Sequence, residues 1–251
     1  MLFPCDCRLC GAPLENISRL PVCLSCLTRM APISGETCEV CGQRLPGLQQ
    51  DFKGQACATC QQAPPLFQKA GAYGSYDGGL RELIHLLKYD RVEPAASVLG
   101  KMLAEAVAKL EVPARLLVVP VPLHRSKRRQ RGFNQAELIA RKALKELLPG
   151  TELVADVLER HRDTVSQIGP TRSQRSENIR GTFRVAHPNR VWGRDVLLVD
   201  DVLTTGTTAS ECARVLRKAG AKQVWVATVA RTLKTSGVGF EIEPEFAAQA
   251  S

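Results

Sequence analysis

The sequence predicts an α/β domain built on a mostly parallel sheet, preceded by a small cysteine-rich module. Three observations carry this expectation. After residue 68, apolar patterns alternate between short strand-like runs and helical spacing, the order that builds parallel sheets through right-handed crossovers. Nine of the ten cysteines fall within the first 60 residues. The apolar run Val196 to Val199 ends in two adjacent carboxylates, Asp200 and Asp201, and a hydroxyl-rich turn follows. That is the pattern of an interior strand opening a ligand site at the C-terminal edge of a sheet.

The cysteine module comes first. Eight cysteines form four Cys-x-x-Cys pairs: Cys7/Cys10, Cys23/Cys26, Cys38/Cys41 and Cys57/Cys60. Each pair supplies two thiolates at a spacing suited to tetrahedral Zn²⁺, so eight thiolates predict two structural zinc ions. Gly11 and Gly42 directly follow the second cysteine of their pairs, where a tight knuckle turn needs them. Loops of 12 and 15 residues separate the pairs if the sites are sequential; a cross-braced pairing fits the same spacing. A disulfide framework is the alternative use of these residues. Little apolar periodicity runs through residues 1–65, so metal substitutes for a core there. Cys212 falls inside a helical pattern and is expected to be a packing residue.

The boundary is expected at Ala63-Pro64-Pro65, with the α/β domain over 66–235 and a loose tail over 236–251. Residues 69–76 predict a strand. Leu80, Leu83, Ile84 and Leu87 keep helical spacing, as do Leu99, Met102, Leu103, Ala106, Val107 and Leu110. Leu116–Val121 predicts a strand stopped by prolines. Asn134 with Glu137 resembles a capping box that opens a helix through Leu147. The strand at 196–199 leads to a helix over about Thr208–Ala219, with Gly220 as its αL cap. Val224–Val229 predicts a last strand.

Charge is unevenly placed. The chain carries a net +9, and residues 115–194 hold 17 Lys/Arg against 7 Asp/Glu. The remainder is close to balanced, so the excess predicts an anionic partner, pyrophosphate or a nucleic-acid backbone. No apolar run approaches the roughly 18–20 residues of a membrane span. The first residues lack a basic n-region and a long apolar h-region, so a cytoplasmic protein is expected.

Three constellations carry chemistry. Asp200 and Asp201 suit sugar hydroxyls, directly or through a divalent metal. Thr204, Thr205, Gly206, Thr207 and Thr208 open a helix whose free N–H groups suit a phosphate. Together they describe a site for a ribose 5-phosphate group. Arg125, Lys127, Arg128, Arg129 and Arg131 put five cations within seven residues, between a strand and a helix. As a loop they suit pyrophosphate; with Phe133 as a stacking face they equally suit single-stranded nucleic acid. His124 beside them is expected to be structural. Residues 160–183 are polar and predict a mobile loop whose contacts are Gln167, Arg175 and Asn178.

These motifs, taken in order, resemble the competence protein F (ComF) family. The multi-Cys ribbon is followed by Tyr76-Asp77-Gly78, Leu87-Lys88-Tyr89, Pro120-Val-Pro-Leu, Arg131-Gly-Phe-Asn-Gln135, and Val-Asp-Asp-Val-Leu-Thr-Thr-Gly-Thr. The resemblance implies a type I phosphoribosyltransferase-like fold, a parallel sheet flanked by helices, behind a double zinc ribbon. It implies that phosphoribosyl pyrophosphate (PRPP) or a related phosphoribosyl nucleotide is bound with Mg²⁺. Asp200 and Asp201 would take the ribose hydroxyls and the Mg²⁺-bound ligand, and Thr204 to Thr208 would cradle the 5-phosphate. If active, the chain would be a phosphoribosyltransferase displacing pyrophosphate at C1, with an acceptor still to be named. The alternative it implies is a non-catalytic role in DNA uptake and competence, with single-stranded DNA and an uptake helicase as partners. One position departs from the pattern: Thr204 stands where several purine-specific phosphoribosyltransferases carry Asp.

Overall fold

The computed structural model describes residues 6–14, 18–45, 55–147, 149–162 and 178–233. Five strands form one parallel sheet in the order β1-β7-β6-β2-β3. They are β1 (Ala70–Ser75), β2 (Leu117–Pro120), β3 (Glu152–Leu153), β6 (Asp195–Leu203) and β7 (Gln223–Arg231). A two-stranded antiparallel ribbon, β4 (Leu158–Arg160) with β5 (Phe183–Val185), lies outside that sheet.

Side-chain alternation along the central strands builds a layer on each face. Leu197 and Val199 of β6, with Trp225, Ala227 and Val229 of β7, join one core. The buried stripes of α3 (Gly78–Lys88), α4 (Ala95–Ala108) and α6 (Gln135–Ala143) complete it. Val196 and Leu198, with Val224 and Val226, face the other core. There they meet α7 (Thr207–Lys218) and the β4–β5 ribbon. A sheet covered on both faces explains why its strands read as continuous apolar runs.

The expected strands and long helices are all present, with small differences. β6 extends through both carboxylates to Leu203, so the hydroxyl turn starts only at Thr204. The basic segment is a short helix, α5 (Arg125–Arg131), and not the loop expected. It has no apolar periodicity to announce it. Its ends are set by His124, whose ring accepts from the Ser126 N–H, and by Gly132 in the left-handed region. The capping box at Asn134 is half formed: Asn134 accepts from the Ala136 N–H, whereas Glu137 pairs with Arg141 and Arg128 instead. Phe133 is half-buried and packs one side against the core.

The cysteine module, with short helices α1 (Leu24–Thr28) and α2 (Ala58–Gln62), covers the outer side of β1. Ile33 N–H donates to the Tyr73 carbonyl, Ala70 N–H donates to the Val40 carbonyl, and the Tyr73 hydroxyl donates to the Met30 carbonyl. Two free backbone groups of this edge strand are thereby satisfied.

Candidate functional site

The site residues gather where β1, β2 and β6 end. Pro120 is in register with Val199, so α5 leaves β2 at the level where Asp200 leaves the apolar part of β6. Adjacent residues of a strand point to opposite faces. Asp201 turns toward α3, where Lys88 forms an ion pair with it; their side chains are only 14% and 6% exposed. Asp200 lies on the α7 side, where its charge acts on the buried Cys212 thiol. Its Oδ1 accepts from the Asp201 N–H at 2.9 Å.

The electrostatics separate the two acids. Burial, and then the charge of Asp201, push the Asp200 carboxyl well above the usual carboxylate range. Burial alone would raise Asp201 too, but the Lys88 ammonium overrides it and holds Asp201 low. Burial works against the Lys88 charge, and the two aspartates outweigh it, so its pKa is raised. One cation is thus committed to Asp201.

The turn beyond is ordered by its own hydroxyls. Thr205 and Thr207 hydroxyls are 2.8 Å apart, and the Thr207 N–H donates to Thr205 Oγ1. Gly206 sits at φ 78°, in the left-handed region that favours glycine, and is the N-cap of α7. A helix N-terminus so opened offers N–H groups and the positive end of the dipole to an anion.

Lys88 and its surroundings carry no sequence expectation of a role. Tyr76 hydroxyl and His85 Nε2 are 2.9 Å apart, and the His85 ring meets Tyr89 edge-on. Tyr89 is 65% exposed, with the Arg131 guanidinium 5.5 Å above its ring. This series links α5 to the acid pair. Of the basic helix, Arg131 alone is brought to this cluster; Arg125, Arg128 and Arg129 are exposed and Lys127 half-buried. Lys88 had a signal in the sequence: Leu80, Ile84 and Lys88 are spaced by four, so the buried stripe of α3 ends in a cation. Asn178 is exposed, while Gln167 and Arg175 lie outside the described residues.

The cysteine sulfurs group sequentially, Cys7/Cys10/Cys23/Cys26 and Cys38/Cys41/Cys57/Cys60, each set within 4.8 Å. The two clusters share one design. Gly11 and Gly42 N–H donate to the carbonyls of Cys7 and Cys38, at positive φ in both knuckles. Cys23 N–H donates to Cys7 Sγ, and Cys57 N–H donates to Cys38 Sγ. Such N–H···S contacts suit thiolates, and each set offers the four ligands of a structural zinc site. The second cluster has an added partner: buried Arg231, the last residue of β7, donates to Cys41 Sγ at 3.4 Å and to Gln43 Oε1 at 3.2 Å. Its Nη1 has no hydrogen-bond partner among the described residues. A buried guanidinium there fits a site made anionic by four thiolates around Zn²⁺.

Residues 129–240 match the phosphoribosyl transferase domain family. DNA utilization protein YhgH of Escherichia coli (strain K12) is 33% identical over 93% of this chain and 100% of its own length. Competence protein F of Haemophilus influenzae is 29% identical over 86% of this chain and 93% of its own. The chain belongs to the ComF family. Competence protein ComFC of Bacillus subtilis is 25% identical over 79% of each chain. This ComF-family chain therefore joins a phosphoribosyltransferase-type domain to two Cys₄ clusters of the double-ribbon kind. Among solved structures, a glutamine PRPP amidotransferase from B. subtilis is 29% identical over 54% of this chain and 26% of its own, with a TM-score of 0.34. Among the described residues no helix is long and apolar enough to cross a membrane.

Proposed function

We propose that this chain binds PRPP, or a nucleotide sharing its ribose 5-phosphate, at the C-terminal edge of β6. The observation that carries this reading is the continuity of three parts in nine residues: Asp200 and Asp201, the Thr204–Gly206 turn, and the N-terminus of α7. Thr204, Thr205, Gly206, Thr207 and Thr208 would receive the 5-phosphate through hydroxyls and helix N–H groups. Asp200 would accept from the ribose diol. Arg125, Lys127, Arg128, Arg129 and Arg131, on the neighbouring strand exit, supply positive charge for a pyrophosphate. Gln167, Arg175 and Asn178 are the proposed ligand contacts of the polar segment, the first two outside the described residues. The Cys₄ clusters would each hold one structural zinc ion within residues 1–65, leaving 66–235 as the ligand-binding domain.

The acid pair does not fit a divalent ion bound directly to both carboxylates, because Asp201 already holds the Lys88 ammonium. In this reading Mg²⁺ belongs to the ligand and is carried on its phosphate oxygens. Transfer to an acceptor, with pyrophosphate leaving C1, is the chemistry such a ligand offers. A cationic helix beside the site would stabilise that leaving group.

A second reading rests on α5. Its three exposed arginines exceed what one pyrophosphate needs, and relatives bear the names DNA utilization and competence proteins. Single-stranded DNA would then run across α5.

Calorimetric titration with PRPP and Mg²⁺ separates the two. The first reading expects saturable binding by the zinc-loaded chain that Asp200→Asn/Asp201→Asn abolishes. Absence of PRPP binding, together with salt-dependent single-strand binding lost on replacing Arg128, Arg129 and Arg131, would leave the second reading in its place.

A further inference from the structure

We propose that Lys88 is the resident counter-ion of the acid pair, a positioning residue that closes Asp201 to divalent cations and leaves Asp200 and the hydroxyl turn to the ligand. The inference rests on the PRPP reading for its second half only.

The argument starts from where the charge sits. Lys88 ends the buried stripe of α3, one turn after Ile84, and its side chain is itself largely buried. Its ammonium faces Asp201 directly, with Asp200 and the Tyr76 phenol nearby. Tyr76 is in turn held by His85. A buried ion pair is a poor device for stability, since desolvation offsets the attraction. This one lies at the C-terminal sheet edge, beside a helix N-terminus built for an anion.

The chemistry follows from the sum of charges. Two carboxylates without a cation would repel a phosphate-bearing ligand and attract a metal. One fixed ammonium removes most of that field. A lysine brings a point charge with three donors and occupies the oxygen that a metal would need. Asp200 accepts a hydrogen bond from Asp201, yet its charge also reaches the Cys212 thiol of α7, and it is not the acid that Lys88 pairs with. The pair is thereby divided, Asp201 binding Lys88 and Asp200 the sugar.

The test uses Mn²⁺ alone and then PRPP, on the full zinc-loaded chain. Wild-type protein is expected to take up no Mn²⁺ that an Asp201→Asn substitution removes, read by electron paramagnetic resonance. Lys88→Met is expected to gain one Mn²⁺ site, lost again in Lys88→Met/Asp201→Asn. Lys88→Arg, which keeps the charge, is expected to exclude Mn²⁺ as the wild type does. In calorimetry without divalent ions, Lys88→Met should bind PRPP about tenfold more weakly or worse, with recovery in the double variant. The double variant removes both members of the Lys88–Asp201 pair together, so it remains usable if Lys88→Met alone does not fold. Wild-type Mn²⁺ uptake that depends on Asp201, or unchanged PRPP affinity in Lys88→Met, would overturn the proposal. Failure of the wild type to bind PRPP would instead overturn the ligand reading, while the Mn²⁺ comparison still judges Lys88.

Discussion

Asp200 and Asp201 are neighbours in sequence with opposite fates, and the difference comes from a residue 113 positions upstream of Asp201. The acid pair and the hydroxyl turn are legible in the sequence because strand, turn and helix start lie within one short segment. Lys88 is legible only as an oddity, a cation at the end of an apolar stripe, because its partner is set by packing. Glu211 was not legible at all. It is 7% exposed on α7, accepts from the Gly181 N–H at 2.7 Å, and pairs with Arg214 at 2.7 Å. Burial works to raise its carboxyl, yet Arg214 and the Gly181 N–H outweigh burial and hold it low. A carboxylate lowered on folding stabilises the fold above its unfolded value of about 4.3, and that contribution fades as pH falls through the lower folded value. Glu211→Gln should cost about 1–3 kcal/mol at neutral pH, with the difference from wild type shrinking in acid. Urea denaturation at pH 7 and pH 3 checks both statements.

The elements read from the sequence are those with enough apolar periodicity to declare themselves. β6, β7, α3, α4, α6 and α7 fall in this class. β3, two residues long, and the β4–β5 ribbon do not, because so few residues leave no period to see. α5 escaped for a different reason: its helix rests on end caps at His124 and Gly132 and buries no face. Packing between elements also holds constraints that composition hides. At Gly100 on α4, a Cβ would stand 2.6 Å from Lys142 Cβ and 2.9 Å from the Ala143 nitrogen on α6. The glycine is there for helix approach, despite its usual cost within a helix. Gly100→Ala should therefore destabilise the chain by about 1–3 kcal/mol through overpacking, where helix propensity alone would favour Ala. A thermal melt of that variant decides which effect wins.

At the scale of the whole molecule, the two Cys₄ clusters share one local design and differ in their attachment. The first has Cys10 exposed and no arginine on a sulfur among the described residues. The second has three buried sulfurs and is tied to the sheet through Arg231 and the edge of β1. The zinc pairing was open in the sequence because spacing alone allows two solutions, whereas the folded knuckles allow one. Two zinc ions per chain are expected by metal analysis. A chelator should remove them in two phases, the exposed cluster first. Arg231→Met should accelerate only the slower phase, by about tenfold or more, as losing a partner that orients a metal ligand does. A single phase unaffected by that substitution would mean the sheet gives the second cluster no support.

The ligand site can be tested in place by amide hydrogen exchange on the zinc-loaded chain, with and without saturating PRPP and Mg²⁺. A phosphoribosyl site at the end of β6 requires slowed exchange over Thr204–Ala209, where the 5-phosphate would engage the turn and the first N–H groups of α7. Unchanged exchange across that segment at saturating PRPP would contradict it, whatever happens elsewhere in the chain.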